Sequence, residues 1–294
     1  MKKNAYGYAV LALACLGMVP VAQVELEPIS EQEMSEVQGQ GFMSIENLDD
    51  GTHQFTRMSL TIDAETRVNA DSVTLGSLDG GADFQASNVA LGHIAREDGV
   101  QRIDGQNYSI GDAVPFVGLK PYIELAEVDN QLAGFRMGFK QARGTFSSDM
   151  ESFSGNIGLQ IKQEDGTITP ATLFDANTNA TNFRATHFGI ADAATDCSVD
   201  GGGQCAPLNF LRTLDIGDAP DAEGEPAKFT NDFFLSFQRE GVNWQSPEGG
   251  NVIEAGKGVF LNLPTSMTLD ATTVFQNGIP REQTHYIDRG TGMF

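Results

Sequence analysis

The stretch "AEVDNQLAGFRMGFK", Ala126 to Lys140, decides the fold. In its second half Phe135, Met137 and Phe139 alternate with Arg136, Gly138 and Lys140. A period of two is the spacing of side chains that point to opposite faces of a β-strand. Ahead of it stands Asp129-Asn130, a pair suited to a tight turn. The same alternation recurs along the chain. Met58, Leu60 and Ile62 alternate with Ser59, Thr61 and Asp63, and Ile157, Leu159 and Ile161 follow the rule. So do Phe233, Leu235 and Phe237, then Val259, Leu261 and Leu263. Each run predicts a strand with its apolar side chains on a core and its other face in water.

Turn signals separate the runs: Asp50-Gly51, Asp79-Gly80-Gly81, Asp98-Gly99, Asp104-Gly105, Asp165-Gly166 and Asn277-Gly278. Short strands and Asx-Gly turns predict an all-β, mostly antiparallel domain over 42–294, either a sandwich or a partly open barrel. "NADSVTLG" (Asn69 to Gly76) and "QASNVALG" (Gln85 to Gly92) share Ala, Val, Leu and Gly in register. Two copies are too few for a solenoid, so they predict two strands of one sheet. Residues 178–225 are rich in Asn, Asp, Gly, Ala and Pro, with Phe183, Phe188, Phe210 and Leu211 as anchors. That composition predicts a long loop insertion.

The N-terminus reads as a targeting segment. Lys2 and Lys3 precede an apolar run from Ala9 to Val21, with Ala22 at the expected cut. Residues 1–22 are therefore expected to be a Sec signal peptide, with Leu13-Ala14-Cys15 as a competing lipoprotein site. The destination would be the periplasm, the outer-membrane surface or the exterior. No other apolar run reaches about eighteen residues, so no transmembrane helix is expected.

The chain carries 40 acidic and 18 basic side chains, a net charge of −22. Such acidity argues against nucleic acid as a partner, because phosphate binding needs a basic footprint. Of three cysteines, cleavage would leave Cys197 and Cys205, in "DCSVDGGGQCAP". In an oxidising compartment they are expected to pair as a disulfide, and without C-x-x-C spacing they carry no redox motif.

"EPISEQEMSEVQGQGF", Glu27 to Phe42, has the marks of a short capped helix within residues 23–41. Ser30 and Glu33 form a capping box, Ile29 and Met34 the staple around it, and Gly39 offers a left-handed exit. So short a helix does not persist in water alone. Ile29, Met34 and Val37 are thus expected to dock, either on the β domain or on a partner protein of the cell envelope.

The pattern I-S-x-x-E-M-S-x-V-x-G-Q, Ile29 to Gln40, resembles the N-terminal signature of exported gammaproteobacterial proteins related to the pilus-system protein FilA. "LTIDAETRVNADSVTLG", "PYIELAEVDNQLAGFRMGFKQARG", "GVFLNLPTSM" and "YIDRGTGMF" are similar to the same group. The resemblance implies export, a β-rich domain and a link to a pilus-like surface assembly.

Chemistry-bearing motifs are sparse. Asp196-x-Ser198-x-Asp200-Gly201 matches the first half of a calcium loop, but Pro207 stands where the bidentate Glu belongs. Asp215, Asp218, Asp221, Glu223 and Glu225 read as a solvated acidic loop open to opportunistic calcium. G-x-S-x-G, H-E-x-x-H and phosphate-cradling loops are lacking, and His53, His93, His187 and His285 are scattered. No catalytic residue is assigned. The expected function is a non-enzymatic structural or accessory component of a cell-surface, pilus-like assembly. The alternatives are a secreted or periplasmic ligand-binding β protein and an outer-membrane β-barrel.

Overall fold

A computed structural model describes residues 42–77, 80–198, 204–222 and 224–285. The expected signal peptide and the docking residues Ile29, Ser30, Glu33, Met34, Val37 and Gly39 lie outside the described residues. The main sheet starts with β1 (Met43–Asp49), β2 (Gln54–Leu60), β3 (Asp63–Thr66), β4 (Val68–Leu75) and β5 (Phe84–Leu91). It continues through β6 (Phe116–Val128), β7 (Gln131–Ser152), β8 (Gly155–Ile157), β9 (Thr213–Ile216) and β10 (Phe234–Gln238). A hairpin of β11 (Val242–Gln245) and β12 (Val252–Ala255) intervenes before β13 (Gly258–Leu263). The fold is all-β and mostly antiparallel, as the alternation predicts; the short α1 (Ala271–Asn277) stands apart.

The path across the sheet runs β1-β2-β6-β7-β10-β13-β8, and only the last pair is parallel. The β6–β7 hairpin turns at Asp129 and Asn130, whose φ angles of 50° and 58° are both positive. Two such residues make the turn whose twist matches the flanking strands, and Asp and Asn tolerate that conformation. β7 is the spine. Its first part pairs with β6 and β10, and its second with β5 and β9. Gly144 sits at the changeover with φ of 147°, and a Cβ there would lie 2.8 Å from Phe116 Cα. No larger residue fits that bend.

The echoing segments are indeed two strands of one sheet: β4 and β5 pair antiparallel, with Val73 opposite Ala86. Asn277-Gly278 is not a hairpin turn. It closes α1, which Asp270 caps through the Thr273 amide at 3.1 Å. The segment expected as a loop insertion is more structured than its composition suggests. It holds strands His187–Gly189, Cys205–Pro207 and β9, plus a 3₁₀ turn at Leu208–Phe210. Phe188, Leu208, Leu211, Leu214 and Ile216 are buried in the main core, while Phe183 is exposed. Their spacing over short irregular pieces hides this from a period-based reading.

Among the described residues two main clusters of buried apolar side chains form, beside a small third one of Phe174, Cys197 and Cys205. The larger joins Phe84, Phe116, Phe146, Met150, Phe153 and Phe188 to the β13 residues Val259 and Leu261. The smaller joins Phe55, Ala126, Phe234 and Phe260 to Val242 and Trp244 of the β11–β12 hairpin.

Candidate docking surface

The register of the sheet places two contrasting rows back to back. On one face Glu46, Arg57, Glu124, Arg136, Ser236 and Phe260 stand opposite one another, strand by strand, from β1 to β13. On the other face Ile45, Met58, Ile123, Met137, Leu235 and Leu261 do the same. Directly opposed residues are close enough to interact, so each row is a physical unit.

The charged row is the buried one. Arg57, Glu124 and Arg136 are shut off from solvent, and Trp244 of the β11–β12 hairpin is fully buried beside them. Arg136 Nε donates to Glu124 Oε2 at 2.5 Å, and Arg57 Nη2 donates to Glu124 Oε1 at 3.2 Å. Both guanidinium groups also donate to the Gln245 carbonyl, and Arg57 reaches the Pro247 carbonyl at 3.3 Å. The Arg136 guanidinium lies 5.0–5.3 Å from the ring centroids of Trp244, Phe234 and Tyr122. Glu46 adds a second carboxylate 3.4 Å from Arg57, and carbonyl dipoles and aromatic faces complement Arg136, whose one carboxylate partner it shares with Arg57. Burial pushes the Tyr122 phenol up to about 12. At the edge, Lys140 Nζ donates to Glu46 Oε1 at 2.8 Å, and this bond holds the Glu46 carboxyl below its ordinary value against the opposing effect of burial.

The expectation about the faces is therefore corrected for β2, β7 and β10. Arg57, Ser59, Arg136 and Ser236 are inside, whereas Met58, Leu60, Phe135, Phe139, Leu235 and Phe237 are only half-buried. Ile45 is 58% exposed, Ile123 41% and Met137 41%. Elsewhere the apolar members do face a core: Ile157, Leu159 and Ile161 are buried, and β13 is buried on both faces.

The outer apolar face is continuous with the main core at β13 and is open to water at Met137, Ile123 and, most of all, Ile45. At one flank Leu132, Phe135, Phe237 and Val259, with Asp83 and Arg239, line an open cavity of about 420 Å³. β1 pairs with β2 alone, so its other side is a sheet edge among the described residues.

Cys197 and Cys205 are bonded to one another and pack on Phe174, as expected. Asp196 Oδ1 accepts from the Ser198 amide at 2.9 Å and hydroxyl at 2.6 Å, a local turn; Asp200 lies outside the described residues. No group of three or more His, Cys, Asp or Glu among the described residues could hold a metal ion. The acidic 215–225 stretch is not uniformly solvated. Asp215 belongs to β9, and burial raises its carboxyl above the usual range, as it does for Asp218.

The molecule is thus an all-β protein defined by a bent central strand, a buried charge row and an uncovered apolar sheet face. Comparison with protein-family models, with curated proteins and with solved structures finds no match for this chain. No helix among the described residues is long and apolar enough to cross a membrane.

Proposed function

We propose that the chain is a non-enzymatic accessory or structural component of an exported, pilus-like surface assembly, docking on another subunit through its apolar sheet face. The observation that carries this reading is the row Ile45, Met58, Ile123, Met137 and Leu235, left partly or largely open to water across five strands. A contiguous exposed apolar surface of this kind is a mark of an interaction site. The resemblance of Ile29 to Gln40 to FilA-related exported proteins supplies the surface-assembly context.

A photo-crosslinking residue at Met137, with the exposed Asp165 turn as control, tests it in intact cells. The expected result is a link from position 137, absent from 165, to one identified envelope or fibre subunit. Equal labelling at both positions, or none, would overturn the reading.

A second reading is favoured by the cavity beside Phe135 and Phe237. Its mainly apolar lining suits a small hydrophobic ligand. Saturable binding of such a ligand, abolished by Phe135→Ala, would support it.

A further inference from the structure

We infer that β1 pairs antiparallel with β1 of a second copy of this chain, centred on Ile45, so that two sheets join into one. The inference concerns the strand edge, and rests on the docking reading only in extending the same apolar face.

Among the described residues no strand pairs with the outer backbone edge of β1. The Thr61 amide donates to the Phe42 carbonyl at 2.9 Å, and the Asp50 amide to the His53 carbonyl at 3.2 Å. Hydrogen-bonded and non-hydrogen-bonded pairs alternate along an antiparallel ladder. The even-numbered residues of β1 therefore turn their amides and carbonyls toward β2. Met43, Ile45, Asn47 and Asp49 turn theirs outward. The β1–β2 register runs unbroken over seven residues.

Edge strands are ordinarily guarded by lysine, proline, a bulge or a covering element. "MSIENLD" contains neither lysine nor proline, and its ladder has no bulge; its charges are Glu46, on the inner face and paired with Lys140 and Arg57, and Asp49 at its end. Met43 is 50% exposed and Ile45 58%.

Register selects the partner. A two-fold axis perpendicular to the sheet keeps both apolar faces on one side and allows only pairings in which some residue meets itself. Centring on Glu46 sets two carboxylates directly opposite each other, a destabilising pair. Centring on Ser44 shortens the overlap, and centring on Asn47 sets Ile45 against Asp49 and Glu46 against Leu48. Centring on Ile45 places Ile45 against Ile45, Met43 against Asn47 and Ser44 against Glu46. All three outward pairs at 43, 45 and 47 are then hydrogen-bonded. Ile45 also ends the apolar row, so this pairing makes one strip running from Leu261 of one copy to Leu261 of the other. Glu46 meets only a serine and keeps Lys140 and Arg57. What opposes association is the −22 charge on each copy, which salt screens.

Sedimentation velocity on the purified full chain tests the pairing. The expected result is a monomer–dimer equilibrium that tightens as sodium chloride is raised. Asn47→Pro deletes an outward amide and spares the backbone ladder to β2, losing there only the Thr56 hydroxyl bond to Asn47, so it should weaken the dimer at least roughly tenfold while circular dichroism still shows the folded sheet. Under oxidation, Ile45→Cys should give a disulfide between two copies at position 45, identified by peptide mapping. Met58→Cys, one strand inward, should not. A wild-type chain monomeric at every concentration and salt, or a dimer indifferent to Asn47→Pro and unlinked at 45, overturns the inference. A monomer that still crosslinks to an envelope subunit from Met137 would sink self-pairing alone and leave the docking reading standing.

Discussion

Glu124 is fully buried, while Ile123, its neighbour in the chain, is 41% exposed. In a strand the two point to opposite faces, so this sheet covers its charged side and leaves its apolar side open. Burying three charges is costly, and the arrangement persists because each meets an opposite charge, a carbonyl or an aromatic face.

Removing the central carboxylate should therefore be severe. Glu124→Ala leaves Arg136 buried without a counterion and Arg57 with only the edge carboxylate of Glu46, and is expected to cost about 3–5 kcal/mol in urea denaturation. Glu46→Ala breaks contacts to Arg57 and Lys140 at a carboxylate open to water. Its cost should stay at roughly 1 kcal/mol or less. Equal losses would show that the row does not behave as a buried unit.

Two methionines on the same strand separate the open face from the core. Met150 is 1% exposed within the main cluster, and Met137 lies on the outer row. Met150→Ala should lose about 2–5 kcal/mol, the cost of a cavity in a close-packed interior. Met137→Ala should lose clearly less, while weakening association with the partner subunit. Thermal melts of the two variants side by side give the comparison.

His93 provides a pH dependence of defined sign. Its Nδ1 lies 2.9 Å from Thr145 Oγ1, and burial is the main cause of a pKa below the ordinary 6.5. The charges of Glu282 and Asp104 act upward and that of Arg102 downward. The unfolded chain therefore takes up a proton before the folded chain does. Stability is complete above 6.5 and falls as pH drops from there to the lowered folded value. Asp215 has the opposite sign. Its folded pKa is raised, chiefly by burial, so it stabilises at low pH and that contribution is lost as pH rises from 3.8 through the raised value. Melting temperatures from about pH 7.5 to about pH 5 should decline in the wild type and flatten in His93→Gln.

The disulfide joins residues 8 apart in sequence and packs on Phe174. Reduction, or the double change Cys197→Ser with Cys205→Ser, should cost about 2–3 kcal/mol by loss of the constraint on the unfolded chain. Calorimetry with and without reductant measures it. The sheet signal in circular dichroism should remain, because no main-sheet strand depends on this loop.

Particular residues show how far the sequence could be read. Asp129-Asn130 announced the central hairpin, the paired motifs at Asn69 and Gln85 announced β4 and β5, and Cys197 and Cys205 announced their bond. These are local signals, carried by turn chemistry, periodicity and composition. The core within 178–225 was not legible, because Phe188, Leu211 and Ile216 reach it from pieces too short to show a period.

Alternation in "GFRMGFK" determined that the strand has an apolar and a polar face, and nothing in that stretch says which is covered. That choice belongs to Trp244 and the carbonyls of Gln245 and Pro247, brought from far along the chain to lie over Arg136 and Arg57. Periodicity is a property of neighbours in sequence, whereas burial depends on what else arrives, and the charge row exists only once four strands are in register.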